Sequence, residues 1–516
     1  MSLRRATGRS TAWAFIGYLG HYAVTFAFTV VTARLLNPHV FGIMGLSVVV
    51  IAVGTLIADS GTQAALIHRK HDLDVAINTA LISVPLTGLT AALLGAAAAP
   101  ILAWFYDEPQ VLPVAALLAG VLFVRSFGLV PDAILQRNLD FKMRRAVVDP
   151  LAAFMGGATA TVLALLGAGV WSLVAMWYAN TLTVVIGSWV LTRYRPNLRL
   201  ANVRTWRELA SYGRSILGAH TVQLAFGYLD TATIGRNLTS ANVGWYGAAG
   251  RLAILPAQAT TYVAGAALFP AFTRMGSDIH RLRSAFLEAV RYISLLAFPL
   301  LAILAVISTP FVVVLFGEQW RPSGPVLATM MLWVLPLSIF EPAMELFKAI
   351  GRPAVVFKLA ILKFTVFAAY LAVLWGLQEV TMVRVAFGLG LSGMVSLAAA
   401  APIVARALDT HFASLWNAIR PASYAALAAV AGMYLLSNFA MGDVETHHEL
   451  AGINLGPLVP LILMGVLAAV GCAIFAATAE LVERGSVGAL IRQGRLVIRR
   501  SEPEPAPTEP TPAPSA

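Results

Sequence analysis

The fold class that the sequence predicts is an all-α polytopic membrane protein with about 14 transmembrane helices. Hydrophobic residues make up 59% of the 516 residues and charged residues only 12%, and the mean hydropathy is +0.77. Apolar segments recur from Ala12 to about Thr478 and leave no long polar stretch between them. A soluble domain needs far more polar surface than this composition provides. Basic residues in alternate loops, described below, are the third observation that predicts this class.

Each predicted span is an apolar segment of about the 20 residues that a helix needs to cross a bilayer. The first follows Arg4, Arg5 and Arg9 and is much longer than the apolar core of a signal peptide, so we interpret it as a retained span. The predicted spans lie near residues 12–33, 40–58, 76–99, 111–130, 146–167, 170–191, 212–235, 243–272, 288–316, 324–347, 354–376, 382–404, 421–441 and 454–477.

The distribution of lysine and arginine over the loops supports this count. If the N-terminus is cytoplasmic, every inward loop carries two or more basic residues, whereas the outward loops carry only Arg34, Arg236 and Arg321. The outward loops are instead acidic, as in residues 443–449. A miscounted helix would reverse this bias beyond the error, and no reversal occurs. Both termini are therefore predicted to be cytoplasmic.

The spans divide the chain into four predicted regions. Residues 1–200 hold the first six spans, residues 201–410 the next six, and residues 411–480 two additional spans. Residues 481–516 form a cytoplasmic tail, which is rich in proline and predicted to be disordered from about residue 501. The net charge of +11 is spread over all inward loops, so nucleic-acid binding is not indicated. The single cysteine, Cys472, excludes a disulfide framework and a thiolate metal cluster, and no cofactor is expected.

A short repeat links the turns that follow spans 1 and 7. Residues 34–45 (RLLNPHVFGIMG) and residues 236–247 (RNLTSANVGWYG) both read R-x-L-x5-G-x-x-G. The two segments lie at the same kind of turn, six spans apart, and because six is an even number both bundles enter the membrane in the same sense. The repeat therefore predicts two related six-helix bundles around an axis along the membrane normal, with spans 13 and 14 as an addition.

Several segments together resemble a known family. They read ARLLNPHVFGIMGLS, DSGTQAALIHRK, VPDAILQRNLDFKMR, GAGVWSLV and LDTATIGRNLTSANVGWYGAAGRLAILP along spans 1 to 8. The series is similar to the polysaccharide transporter family, the Wzx-like O-antigen and exopolysaccharide flippases of the multidrug/oligosaccharidyl-lipid/polysaccharide flippase superfamily, and the resemblance covers spans 1 to 12. It implies two six-helix lobes around a central cavity. It also implies that a lipid-linked oligosaccharide or polysaccharide repeat unit crosses the bacterial inner membrane by alternating access. Two extra C-terminal spans and the proline-rich tail depart from the family pattern.

The resemblance implies the partners as well. The substrate would be a polyprenyl-diphosphate-linked glycan among membrane lipids, H⁺ or Na⁺ would be the coupling ion, and a polysaccharide polymerase and glycosyltransferases would be protein partners. A membrane glycosyltransferase or ligase would need catalytic carboxylates in large outward loops, and the outward loops are short, so an enzyme is not expected. The alternative is a multidrug or small-molecule cation antiporter of the same superfamily, which an acidic cavity with few arginines would indicate.

Ionisable residues within the spans are the candidate site residues, because a charge near the bilayer centre costs a few kcal/mol unless it faces a cavity or a partner. Asp230 in span 7 and Arg251 in span 8 are at similar predicted depths, roughly 9 and 12 Å below the outer ends of their helices at 1.5 Å per residue. They are predicted to form a structural ion pair or, alternatively, a pair from which Asp230 changes partner during transport. Lys363 in span 11 is a further candidate for ion coupling or gating.

Three arginines are candidate contacts for the diphosphate, since a guanidinium stays charged and binds phosphate oxygens bidentately. Arg125 lies in the inner half of span 4, Arg214 at the inner mouth of span 7 and Arg251 in the outer half of span 8. Together they would form a ladder along which the head group moves outward.

The remaining candidates for ion coupling or gating each have a plainer alternative. Glu341 and Glu345 share one face of span 10 and suggest a proton or sodium site, although Lys348 follows closely enough to neutralise them. His21 and His220 take comparable places in spans 1 and 7, either as packing residues or as a proton relay. No metal site is indicated.

Overall fold

The computed structural model describes residues 20–59, 62–69, 71–137, 143–276, 278–441, 449–450, 453–454, 458–485 and 488. Side chains are described within these ranges except at residues 59, 64, 68, 211–223, 258–267, 438–441, 449–450, 453–454 and 458–460. The predicted disordered tail from residue 501 lies outside the described residues.

Almost all of the described chain is α-helical. Helix α1 covers residues 20–35. The helices that follow are α2 (Pro38–Ser47), α3 (Val49–Asp59), α4 (Thr62–His68), α5 (Leu73–Tyr106), α6 (Val111–Arg137), α7 (Asp149–Leu165), α8 (Val170–Thr192), α9 (Val203–Asn237), α10 (Ser240–Met275), α11 (Ile279–Val306), α12 (Ser308–Phe316), α13 (Ser323–Ala349), α14 (Pro353–Gly376), α15 (Met382–Ala407), α16 (Phe412–Met441) and α17 (Leu458–Val482).

Short elements complete the described chain. A π-helical turn, Arg144–Val148, leads into α7, and 3₁₀ turns occupy Leu198–Leu200 and Glu318–Trp320. Two antiparallel strands of two residues each, β1 (Glu449–Leu450) and β2 (Ile453–Asn454), lie between α16 and α17.

The fold class predicted from the sequence is confirmed. Within the described residues, 11 helical segments are long and apolar enough to cross a membrane, and they match predicted spans 2 to 6 and 9 to 14. Helices α9 and α10 contain most of the predicted spans 7 and 8, and α1 contains the described part of predicted span 1. The chain is therefore a multi-pass membrane protein with about 14 spans.

Two predicted boundaries were wrong. The predicted ninth span, residues 288–316, is interrupted at Ile307, where α11 has ended and α12 begins. Pro310 explains the break, because it has no N–H to donate to the carbonyl of Val306 and fits only in the first turn of a new helix. The helix that contains the predicted seventh span, residues 212–235, begins earlier, because residues 203–211 form the first turns of α9.

Contacts within the chain define two compact units. Unit 1 comprises the described residues of Met1–Leu255, Ile307–Pro336 and Arg352–Ala399. In unit 1, α6 packs along α5 and α8, and α3 packs against α5. Unit 2 comprises the described residues of Pro256–Val306, Leu337–Gly351 and Ala400–Ala516. In unit 2, α16 packs on both α11 and α17. The division into residues 1–200, 201–410 and 411–480 stays a prediction.

Apolar residues, four of them alanines, pack helices of unit 1 against one another in one buried cluster. This cluster joins four helices through Leu66 on α4, Ile77 on α5, Ala133 on α6 and Leu209 on α9. Leu209 is only 2% exposed, so the first turns of α9 are anchored to the helices before it.

Candidate functional site

Asp230 on α9 is half-buried and accepts a hydrogen bond from Tyr246 on α10. The phenolic O–H of Tyr246 donates to Oδ2 over 2.9 Å, and the backbone N–H of Thr231 donates to Oδ1 over 2.6 Å. The Thr231 hydroxyl lies 3.2 Å from the same Oδ1. Tyr246 itself is 4% exposed, so it holds the carboxylate from within the packed helices.

Arg251 has a different partner, and the predicted ion pair with Asp230 is not formed between these two described side chains. Its Cζ atom lies over the ring of Phe41, 5.5 Å from the ring centroid. Arg251 follows Tyr246 by five residues, which places the two side chains about 140° apart around α10. Because Tyr246 faces Asp230, Arg251 faces elsewhere. The ion pair was predicted from the depths of the two residues along their helices, without regard to the directions in which their side chains point.

Arg125 lies on the packed face of α6 and is nevertheless exposed. Leu118 and Leu122 are on the same face and are 0% and 1% exposed. Arg125 is therefore accessible although its neighbours on this face are packed. Arg251 on α10 is exposed as well.

Three of the remaining candidate residues each have a separate contact in the structure. Glu345 is 8% exposed and accepts from Nζ of Lys348 over 2.8 Å, which is the neutralisation that the sequence suggested as the plainer alternative. The ring Nδ1 of His21 lies 3.0 Å from the carbonyl oxygen of Asp149. The Nζ atom of Lys363 lies 4.4 Å from the centroid of the Phe226 ring.

Three further candidates are less completely described. Glu341 is half-buried on α13. Arg214 and His220 are on α9, but their side chains lie outside the described ones. The functional roles of all these candidates stay predictions.

The two repeat segments found in the sequence meet in the structure. We call the contact between residues 34–45 and residues 236–247 the repeat crossing. At its centre, a Cβ atom built on Gly42 would overlap the carbonyl oxygen of Ser240, and one built on Gly244 would overlap that of Pro38. Each of these built Cβ atoms would also lie 3.2 Å from the backbone nitrogen of the other glycine. The backbones of α2 and α10 therefore touch, and only glycine fits at either position.

The arginines that begin the two repeats cap two other helices in equivalent ways. Arg34 donates to the carbonyl oxygens of Leu315 and Val314 over 2.9 and 2.5 Å, at the C-terminus of α12. Arg236 donates to the carbonyl oxygen of Phe105 over 2.8 Å, at the C-terminus of α5. A guanidinium at a helix C-terminus satisfies carbonyls that lack intrahelical partners and lies at the negative end of the helix dipole. The repeated sequence thus makes equivalent contacts in both halves.

These contacts explain why the predicted outward loops contain any arginine. Arg34 and Arg236 cap helices at the repeat crossing, and Arg321 forms an ion pair with Glu318 three residues before it. Every exception to the basic-inside pattern therefore has a specific partner.

The turns after α5 and α12 are also equivalent, although the sequence did not lead us to predict this. The segments FYDE (105–108) and LFGE (315–318) occupy corresponding places, and Asp107 and Gly317 both have positive φ, 52° and 102°. Their glutamates differ in partners. Glu108 Oε2 accepts from the Ser240 hydroxyl over 3.0 Å and lies 3.5 Å from Nε2 of His39. Glu108 thus contacts the first turns of both crossing helices, whereas Glu318 pairs locally with Arg321.

Aromatic residues join the repeat crossing to the turn after α12. The ring of Phe41 packs edge-on against Trp320, with centroids 5.2 Å apart. Trp320 is 0% exposed and donates from Nε1 to the carbonyl oxygen of Ala33 over 2.8 Å. Gln319 donates to the same oxygen over 3.1 Å and accepts at its own carbonyl from Nε1 of Trp245 over 2.9 Å. The turn is therefore bound to the end of α1 and to α10.

Comparisons with known proteins place this arrangement in a family. A family model described as polysaccharide biosynthesis protein matches residues 31–325, a range that contains both repeats and the turns they bind. The succinoglycan biosynthesis transport protein ExoT of Rhizobium meliloti is 26% identical over 461 residues, covering 88% of this chain and 92% of that protein. The lipopolysaccharide biosynthesis protein WzxC of Escherichia coli is 24% identical over 428 residues, covering 81% and 85%.

A solved structure shares the fold. The lipid II flippase MurJ in an inward closed conformation superposes with a TM-score of 0.68 at 10% identity, over 92% of this chain and 100% of MurJ. Since the family model covers more than half of the residues, this membrane protein belongs to the polysaccharide biosynthesis protein family.

Proposed function

We propose that this protein translocates a lipid-linked oligosaccharide or polysaccharide repeat unit across the bacterial inner membrane, in the biosynthesis of a surface polysaccharide. The relatives are named as polysaccharide biosynthesis and transport proteins, and the protein with the similar fold is named as a lipid II flippase. The observation that carries the proposal is the repeat crossing with the exposed Arg251 beside it. An alternating-access carrier needs a closure that can separate, and an anionic head group needs a cation within reach of that closure.

The repeat crossing has the properties of a reversible closure. Its centre is a backbone contact between Gly42 and Gly244, and its periphery consists of exposed arginines that cap helix ends. Such contacts can be lost to water at modest cost, because water can satisfy the freed carbonyl and guanidinium groups. The orientation from loop charge places both termini in the cytoplasm and the crossing at the exterior. In this orientation the repeat crossing would close the exterior side, and substrate would be loaded from the cytoplasmic side.

The arginines are suited to the diphosphate of a polyprenyl-linked glycan. A guanidinium stacked on an aromatic ring keeps its N–H donors in the plane of the group, so Arg251 can rest on Phe41 and still bind phosphate oxygens. Arg125 is exposed on an otherwise packed face and is the second proposed contact. Arg214 is the third, which the sequence predicts at the inner mouth of span 7. The exposed arginines favour an anionic substrate over the alternative, a multidrug or small-molecule cation antiporter.

Coupling to H⁺ or Na⁺ is part of the proposal. Asp230 is a suitable group because its partner Tyr246 is neutral, so a proton or another partner can replace that hydrogen bond when α9 and α10 move. The other proposed coupling or gating groups are Glu341, Glu345, Lys363, His21 and His220. A polysaccharide polymerase and glycosyltransferases would consume and supply the substrate, and no catalytic step is assigned to this chain.

Complementation of a strain that lacks the transporter tests the proposal. We expect Arg251→Ala and Arg125→Ala to abolish surface polysaccharide while the protein remains in the membrane, and lysine at either position to retain partial function. Lipid-linked intermediate should accumulate on the cytoplasmic face. Arg384→Ala is the matched control, since Arg384 is an in-span arginine that is exposed and paired with Glu379 over 2.6 Å. Normal export by both alanine variants would contradict the assignment of these arginines to the diphosphate.

A further inference from the structure

We propose that Phe41 and Trp320 link the diphosphate site at Arg251 to the repeat crossing, so that a bound head group loosens the closure. We call these three residues the Arg251–Phe41–Trp320 link. The inference rests on the proposed function and names the residues through which its substrate would act on the closure.

The first step is that Arg251 is open on one side. Gly247 lies one helical turn before Arg251 on the same face of α10, and a Cβ atom built on Gly247 would have no neighbouring atom within 4 Å. The arginine side chain is exposed, with the ring of Phe41 against it. An anion can therefore approach the edge of the guanidinium without displacing any described packing.

The second step is that anion binding changes the contact with Phe41. A cation attracts an aromatic face through the electrostatic field of the ring, and this attraction depends on the net charge of the cation. A diphosphate bound to the guanidinium edge offsets that charge and pulls the group toward the bound oxygens. The attraction that holds the Phe41 ring against Arg251 would then weaken.

The third step is that Phe41 is inside the closure. It precedes Gly42 on α2, is 6% exposed, and packs its ring against Trp320. Trp320 holds the carbonyl of Ala33 at the end of α1. Because the contact of Gly42 with Ser240 has no room even for a methyl group, a small displacement of α2 would break it. Release of the Phe41 ring is thus expected to separate the crossing helices.

The fourth observation is that the link has no counterpart in the other repeat. The alignment of residues 34–45 with residues 236–247 places Val243 opposite Phe41 and, continued into α3, Val49 opposite Arg251. The glycines and capping arginines are duplicated, as a symmetric closure requires, but the cation and its aromatic partner are present once. Helix packing alone does not require an arginine and a phenylalanine in one repeat where the other has two valines. A site that detects one substrate molecule needs only one such pair.

Cysteine labelling can test the link, because the chain has a single native cysteine, Cys472. Val243→Cys in a Cys472→Ser background places a reporter in the crossing at a position that is 4% exposed. The protein is reconstituted in vesicles that contain a polyprenyl diphosphate or the corresponding polyprenol. An impermeant maleimide is added from the side of the crossing, and the response is the ratio of the two labelling rates.

We expect a response of about fivefold or more in the parent, and a response close to one in the Phe41→Leu variant, which keeps an apolar side chain but no aromatic face. Trp320→Phe keeps a ring but loses the donor to Ala33, and its response should be reduced. Phe272→Leu is the matched control, since Phe272 is a buried aromatic residue that packs on Phe286 in unit 2. This control should respond as the parent does.

Binding of radiolabelled polyprenyl diphosphate to the purified variants separates the link from the proposed function. If the parent binds the lipid and Phe41→Leu binds it equally but gives no response, the link is supported. A Phe41→Leu variant that binds and responds like the parent would overturn it, as would a parent that binds without responding. Failure of the parent to bind the lipid, or equal binding by Arg251→Ala, would instead contradict the proposed function at this site.

Discussion

Gly42 and Gly244 occupy equivalent positions of the two repeats, and each faces the backbone carbonyl four residues before the other. The reciprocity reflects the sequence repeat, because the two copies present equivalent glycines to each other where they cross. Backbone contact requires the absence of a side chain on both helices.

The first prediction concerns these glycines. Gly42→Ala or Gly244→Ala should prevent the closed contact, because each added methyl group would overlap a backbone carbonyl that cannot rotate away. Overpacking of this kind costs about 1–3 kcal/mol. The thermal midpoint of the purified protein should fall, and surface polysaccharide should be lost in complementation.

Gly465→Ala is the control for this prediction. Gly465 is a helical glycine of α17, and a Cβ atom there has open space around it. The variant should export polysaccharide normally. Equal behaviour of Gly42→Ala and Gly465→Ala would show that the close approach of the helices is unimportant.

A second prediction uses the two equivalent glutamates. Glu108→Gln should loosen the crossing, because the charge that contacts the first turns of both α2 and α10 is removed. A charge at a helix N-terminus contributes about 0.3–1 kcal/mol, so two such contacts predict an increase of roughly threefold to thirtyfold in the labelling rate of a cysteine at position 243. Glu318→Gln should leave the rate unchanged, since its pair with Arg321 is exposed. The reverse order of the two effects would contradict the assignment of Glu108.

The third prediction separates structure from transport at Asp230. Tyr246→Phe leaves a half-buried carboxylate without its phenol donor and should destabilise the protein by about 1–3 kcal/mol. Asp230→Asn keeps an acceptor for Tyr246, so thermal stability should be retained while transport falls if the charge is used. Both quantities are measured on the same preparations. Parent-like transport by Asp230→Asn would remove the carboxylate charge from the mechanism.

A charge exchange between Asp230 and Arg251 is a related test with a different expectation. Because the two side chains have separate partners, the exchanged variant should not regain activity. Recovery would mean that they pair in another state of the transport cycle.

The fourth prediction concerns orientation. Reporter fusions after Arg499 should give a cytoplasmic signal, and fusions within residues 443–449 should give an exterior one, because the basic residues are concentrated on one side. Alkaline phosphatase and green fluorescent protein fusions give opposite signals on the two sides and check each other. An exterior C-terminus would be incompatible with an even number of spans after a cytoplasmic N-terminus.

Most of the architecture was predictable because hydropathy and loop charge are local properties of the chain. An apolar segment of about 20 residues has few alternatives to a membrane helix, and alternating basic loops give the order of the crossings. The repeat was also visible, since duplicated residues such as Arg34 and Arg236 remain alike wherever they lie. The break at Ile307 could have been predicted from Pro310, which is a local signal that the hydropathy pattern concealed.

The partners of these residues were decided only by the tertiary structure. Arg34 donates to the carbonyl oxygen of Leu315, far along the chain, and no local property of either segment predicts that hydrogen bond. Asp230 and Arg251 were predicted to pair because they lie at similar depths. The direction of a side chain around its helix, however, depends on how the neighbouring helices pack. This packing places Tyr246, and not Arg251, against the Asp230 carboxylate. By itself, the sequence determined the helices, their order and the duplicated segments, because each depends on the chain's own local chemistry. Packing alone determined that the duplicated glycines meet, because contact between distant segments depends on the shapes of all the helices between them.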